Sequence, residues 1–82
     1  MLTSDQIRAA RALLRWSARE LALRSSVHIT TVQRMERGDG PVGGTVQTLA
    51  KVQRALEDAG VEFTAQNGSQ GLRLITRRAE EQ

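Results

Sequence analysis

Trp16-Ser17-Ala18-Arg19-Glu20-Leu21-Ala22-Leu23-Arg24-Ser25-Ser26-Val27-His28-Ile29-Thr30-Thr31-Val32-Gln33-Arg34-Met35-Glu36-Arg37-Gly38 is the stretch that decides the fold. Ser17 followed by Glu20 has the spacing of a capping box, and Leu21 and Ala22 supply an inward face until Ser25 and Ser26 break the pattern. The spacing predicts a short helix over about residues 17–24. A second helix is predicted to begin near His28, to bury Val32 and Met35, and to stop at Gly38, whose lack of a side chain suits a left-handed terminal residue.

Working outward, Thr3-Ser4-Asp5-Gln6 has capping-box spacing, and Ile7, Ala10, Leu13 and Leu14 recur at helical intervals, which predicts a first helix over residues 4–15. Asp39-Gly40-Pro41-Val42-Gly43-Gly44 reads as a loop. From Thr45 the apolar positions Val46, Leu49, Val52, Ala55 and Leu56 form one stripe of a fourth helix, which Gly60 ends. Beyond Gly60 the period becomes alternating: Val61-Glu62-Phe63-Thr64-Ala65 and Leu72-Arg73-Leu74 flank Asn67-Gly68, a hairpin turn signal. With Asn67 and Gly68 central, Phe63 opposes Leu72, Val61 opposes Leu74, and Glu62 opposes Arg73. Apolar pairs then share one face and an ion pair the other. The predicted fold is mainly α: a four-helix bundle over residues 1–60, its central pair of helices at about 17–37, then a β-hairpin over 61–76 and a flexible tail over 77–82.

Composition narrows the function. A chain of 82 residues buries only about 60% of its unfolded surface and holds one small core. It has no cysteine and one histidine, so no disulfide, thiolate site or imidazole cluster is expected within a monomer, and no metal or cofactor. No apolar run approaches a membrane span and the amino terminus lacks a leader pattern, so a cytoplasmic protein without membrane contact is expected. The formal charge of +3 is unevenly spread. Residues 1–40 carry seven arginines against four acids, whereas residues 41–82 carry five bases and five acids. Eleven of the twelve bases are arginine, whose planar fork suits phosphates and guanine edges.

A basic pair of short helices in this arrangement is a helix-turn-helix, and it points to DNA. The second helix must cross the first steeply while presenting its amino-terminal turn to the major groove. Ala22 provides the small residue at the crossing, Leu21, Val27 and Val32 fill the interior, and Ile29, Thr30, Gln33 and Arg34 face outward to read bases. Residues 7–56 resemble the phage repressor and Cro type of helix-turn-helix regulator, the xenobiotic-response-element family. The resemblance rests on Trp16-Ser17, Glu20-Leu21-Ala22, Val27, Thr31-Val32, Arg34 and Glu36-Arg37-Gly38. It implies a structural ion pair between Arg11 and Glu36 and base reading by the third helix. Ile29 would meet a thymine methyl, Gln33 an adenine edge, and Arg34 a guanine or a phosphate. Where family members commonly carry glutamine at the start of the second helix, this chain has Ala18. Where they carry glycine near the end of the first helix and in the turn, it has Arg15 and Ser26.

Candidate phosphate contacts are Arg19, Arg24, His28, Arg37 and Thr45. Trp16 reads as a core anchor at a helix junction. With only Trp16 and Phe63 as aromatics, binding of single strands by base stacking is poorly supported. No nucleophile, acid/base pair or phosphate-cradling loop stands out, and an enzyme is not expected. Because a two-stranded ribbon is marginal alone, the face of Val61, Phe63, Leu72 and Leu74 must pack on the helices or join two copies. These four are the candidate dimerisation residues, since a homodimer would place two reading helices in successive major grooves. The expected partner is double-stranded DNA and the expected role a transcriptional repressor. The alternative is a protein-interaction module, antitoxin-like or an anti-activator, that holds a regulatory protein partner and binds DNA weakly.

Overall fold

In a computed structural model, residues 2–38, 45–66 and 69–75 are described. Four helices, α1 (Ser4–Leu14), α2 (Ala18–Ser25), α3 (Ile29–Arg37) and α4 (Val46–Asp58), precede two antiparallel strands, β1 (Val61–Gln66) and β2 (Ser69–Leu74). Helix α1 lies against α3 and β2, α2 against α3 and α4, and α4 against β1.

Each helix starts on a side-chain acceptor. Thr3 and Gln6 complete a reciprocal capping box on α1. Ser17, His28 and Thr45 accept from the backbone N–H groups of Glu20, Thr30 and Thr48. The first three helices repeat a second device: an apolar residue just before the cap and another five positions on, namely Leu2 with Ile7, Trp16 with Leu21, and Val27 with Val32. This is the spacing of a hydrophobic staple, and all six residues belong to the core or pack against it. The largest fully buried side chains are Ile7, Leu21, Val32, Val52 and Leu56, so every helix contributes to one centre. Burying a side chain of this size stabilises by about 1.5–3 kcal/mol.

The hairpin register is Val61 to Leu74, Glu62 to Arg73 and Phe63 to Leu72, as the alternation predicts; the turn Asn67-Gly68 itself lies outside the described residues. Val61 is buried with Val52 and Leu56, and Phe63 and Leu72 pack against the same core. On the other face Glu62 and Arg73 form an ion pair. The Ile75 N–H donates to the Gly60 carbonyl at 2.7 Å, anchoring the hairpin base beside the end of α4.

Four local expectations are corrected. Ser17 and Glu20 form half a capping box: the Ser17 hydroxyl accepts from the Glu20 N–H, but the Glu20 carboxylate is held 2.6 Å from Arg24 one turn later. Leu13 is exposed, because it stands roughly 90° around α1 from the line of Ile7, Ala10 and Leu14 at 100° per residue. Val46 is 84% exposed, since the first turn of α4 extends beyond the core and Leu49 is the first residue of the stripe to pack. Gly38 is extended (φ −92°, ψ −174°) rather than left-handed.

Left-handed backbone occurs instead at Arg15 (φ 60°, ψ 36°) and Ser26 (φ 59°, ψ 35°), the residues that end α1 and α2. An L-residue there carries a steric cost of about 1 kcal/mol that glycine avoids. Ser26 is exposed and its side chain has no hydrogen bond among the described residues. Ser26→Gly is expected to stabilise the fold by about 1 kcal/mol, raising Tm by about 4–8 °C in a thermal melt.

Candidate nucleic-acid interface

The geometry of the site begins on the far side of α1. Ser4, Arg8 and Arg11 lie at i, i+4 and i+7, so they form one polar stripe facing the carboxyl end of α3. The Ser4 hydroxyl donates to the Met35 carbonyl at 2.6 Å. Arg8 donates to the carbonyls of Glu36 and Gly38 and pairs with Asp5. The Met35 carbonyl is one that a left-handed cap at Gly38 would serve; here the Ser4 hydroxyl serves it and Gly38 is extended. The arginines of the stripe also place positive charge where the helix dipole favours it.

Arg11 closes the stripe. Its Nε and Nη2 donate to Oε2 and Oε1 of Glu36 at 2.7 and 2.8 Å, a bidentate fork, while Nη1 donates to the Trp16 carbonyl at 2.9 Å. One guanidinium thereby joins α1, the approach to α2, and the last turn of α3. The Glu36 side chain is 10% exposed and that of Arg11 24%. Hydrogen bonding to Glu36 pushes the Arg11 guanidinium above its ordinary value, against the opposing effect of desolvation.

With its carboxyl end clasped, α3 turns the opposite face to solvent. Thr30, Gln33, Arg34 and Arg37 are exposed at i, i+3, i+4 and i+7, while Val32, Met35 and Glu36 are buried. Ile29 stands at the margin of the outer stripe, half-buried against the core. At the amino end, His28 Nδ1 accepts from the Thr30 N–H at 3.2 Å and lies 2.9 Å from the Thr30 hydroxyl. An accepting Nδ1 assigns the ring proton to Nε2, so the exposed histidine offers an outward N–H donor beside the start of α3.

A matching family description, Helix-turn-helix, covers residues 7–56. The chain belongs to the helix-turn-helix regulators of the phage repressor and Cro type. A search of curated protein sequences returned no match. In this helix-turn-helix protein α2 and α3 are the paired helices, with Ser26 in the turn and α3 in the place of the reading helix.

The arginines divide into two sets. Residues 2–38 hold seven of them and three acids, and each acid is paired: Asp5 with Arg8, Glu20 with Arg24, Glu36 with Arg11. Arg24, a candidate for phosphate contact, is also stacked on Trp16 at 4.7 Å from the ring centroid, so its charge is engaged within the fold. Arg15, Arg19, Arg34 and Arg37 have no ion pair or hydrogen bond from their side chains among the described residues, and all four are exposed. On α4, by contrast, Lys51 and Arg54 accompany Glu57 and Asp58, leaving that helix without surplus charge. Thr45 is exposed as the cap of α4, and the loop 39–44 before it lies outside the described residues. In the sequence Arg15 stands out only as occupying a place where family members carry glycine; its left-handed backbone agrees with that place, and its exposed, unpaired side chain is visible only in the folded chain. Among the described residues no cluster could hold a metal ion, and no helix is long and apolar enough to cross a membrane.

Arg11→Met is expected to lose about 3 kcal/mol of stability in chemical denaturation, because it strands a nearly buried carboxylate. Combining it with Glu36→Leu should recover most of that loss; a double variant as unstable as the sum of both single ones would show that the pair does not act as a unit. At the other end of α3, His28→Ala should cost about 1 kcal/mol and His28→Asn much less, since asparagine still accepts from the helix N–H.

Proposed function

We propose that this protein is a sequence-specific regulator of double-stranded DNA, acting as a repressor that occludes a promoter. The observation that carries the reading is the charge balance of the helix-turn-helix: every acid of residues 2–38 is neutralised, and four arginines remain unpaired. A surface with that surplus attracts a polyanion, and arginine forks suit phosphates and guanine edges. In this reading α3 enters the major groove, where Thr30, Gln33 and Arg34 read base edges and Ile29 touches a thymine methyl at the margin. Arg19, Arg37, His28 through its outward N–H, and Thr45 contact phosphates, with Arg24 contributing less because of its partners Glu20 and Trp16.

Residues 1–60 form the DNA-binding head, residues 61–76 the element that joins two heads, and residues 77–82 a tail. One head supplies one reading helix, and a two-fold pair would place two such helices about 34 Å apart on a pseudo-palindromic site. Val61, Phe63 and Leu72 are engaged in the chain's own core, so a hairpin-mediated contact would rest on Leu74 and Ile75, which are 44% and 45% exposed. The protein works in the cytoplasm without cofactor or catalysis.

The test is fluorescence anisotropy on a labelled duplex from upstream of its own gene, with excess unrelated duplex and a salt series. Binding should survive the competitor, and log K should fall with log salt at a slope of about −0.9 for each arginine–phosphate contact. Arg34→Ala should weaken specific binding by about 1–3 kcal/mol, leaving the melting curve unchanged. Weak binding abolished by the competitor would favour the protein-interaction module instead.

A further inference from the structure

Among the described residues two carry left-handed backbone without being glycine, and they differ in what their side chains can do. Ser26 and Arg15 share nearly identical angles, φ 59° and ψ 35° against φ 60° and ψ 36°. Both sit at helix ends, where glycine relieves the steric conflict. Serine is small. Arginine brings a long cationic side chain to the same strained position, and inside the folded chain nothing uses it: Arg15 is exposed and has no partner among the described residues.

The surroundings fix the backbone from which that cation extends. The Arg15 N–H donates to the Ala12 carbonyl at 3.1 Å, the Trp16 N–H to the Arg11 carbonyl at 3.0 Å, and Arg11 Nη1 to the Trp16 carbonyl at 2.9 Å. The backbone on the carboxyl side of Arg15 is thus tied through Trp16 to the Arg11–Glu36 fork. Two residues further on, Ser17 caps α2, the helix that crosses the sugar–phosphate backbone when α3 lies in the groove. The acids of α1, α2 and α3 are each held by another arginine, so no carboxylate of those elements is left to neutralise Arg15.

We propose that Arg15 grips a DNA phosphate beside the amino end of α2, and that this contact is why an arginine occupies a position the backbone would assign to glycine. The assignment rests on the DNA-binding reading above and adds a contact at the α1–α2 junction to those on α3. A residue at this place touches phosphate rather than bases, so its effect is independent of sequence and can be read on any duplex.

The experiment compares wild type, Arg15→Gly, Arg15→Lys and Ser26→Gly by thermal melting and by anisotropy on a fluorescein-labelled duplex of arbitrary sequence over a salt series. Both glycine variants should melt higher than wild type. Arg15→Gly should bind several-fold more weakly at low salt with a slope shallower by about 0.9, the signature of one lost phosphate contact. Ser26→Gly should keep the wild-type affinity and slope, and Arg15→Lys the wild-type slope. Arg15→Gly binding with unchanged affinity and slope, while wild type binds normally, would overturn the Arg15 assignment alone. Wild type without salt-dependent affinity for the duplex would overturn the DNA-binding reading and the assignment with it.

Discussion

The fork between Arg11 and Glu36 is the constraint on which the arrangement depends. A helix of nine residues such as α3 has little stability of its own, and its orientation must come from contacts. Its apolar face, Val32 and Met35, sets which side is inward, but dispersion and burial tolerate small rotations and slides. A bidentate pair at 2.7 and 2.8 Å does not. Because the same guanidinium holds the Trp16 carbonyl, the start of α2 and the end of α3 are referenced to one atom group on α1. The cost of desolvating two charges is offset by three hydrogen bonds of good geometry and by the favourable position of a cation at a helix carboxyl end.

The same economy of charge shapes the outer surface. Ser4, Arg8 and Arg11 take up the carbonyls and the carboxylate at the closed end of α3, while at the open end His28 satisfies a backbone donor and keeps its own N–H outward. Pairing neutralises the three acids of residues 2–38 and leaves four arginines of that stretch without a partner among the described residues. The formal +3 of the whole chain understates this, because the remaining described elements are internally balanced: Lys51 and Arg54 with Glu57 and Asp58 on α4, Glu62 with Arg73 on the hairpin. The affinity of the surface for polyanions follows from which charges are left over, not from their total.

Much of this was legible along the chain. The caps Thr3 and Ser17, the apolar periods of α1 to α4 and the hairpin register are local or depend on a strict period of two, so short-range spacing suffices to read them. The errors were also local rules overridden from a distance. Gly38 fits a left-handed cap by type, yet α1 supplies the donors that make such a cap unnecessary. Glu20 fits a capping box by spacing, yet Arg24, stacked on Trp16, draws its carboxylate forward. Val46 belongs to the apolar stripe of α4, yet stands 84% exposed, ahead of Leu49 where the stripe first meets the core.

Helix positions, their inward faces and the pairing of the strands therefore come from sequence spacing, because hydrogen-bond geometry and side-chain periodicity act over a few residues. The division of the arginines into engaged and free, the extended Gly38, and the left-handed backbone under Arg15 were settled only when α1 met α3 and α2 followed α1. Ion pairs such as Arg11 with Glu36 join residues far apart in the chain, and an exposed cation has no spacing rule to mark it; the fold chooses its partners by distance.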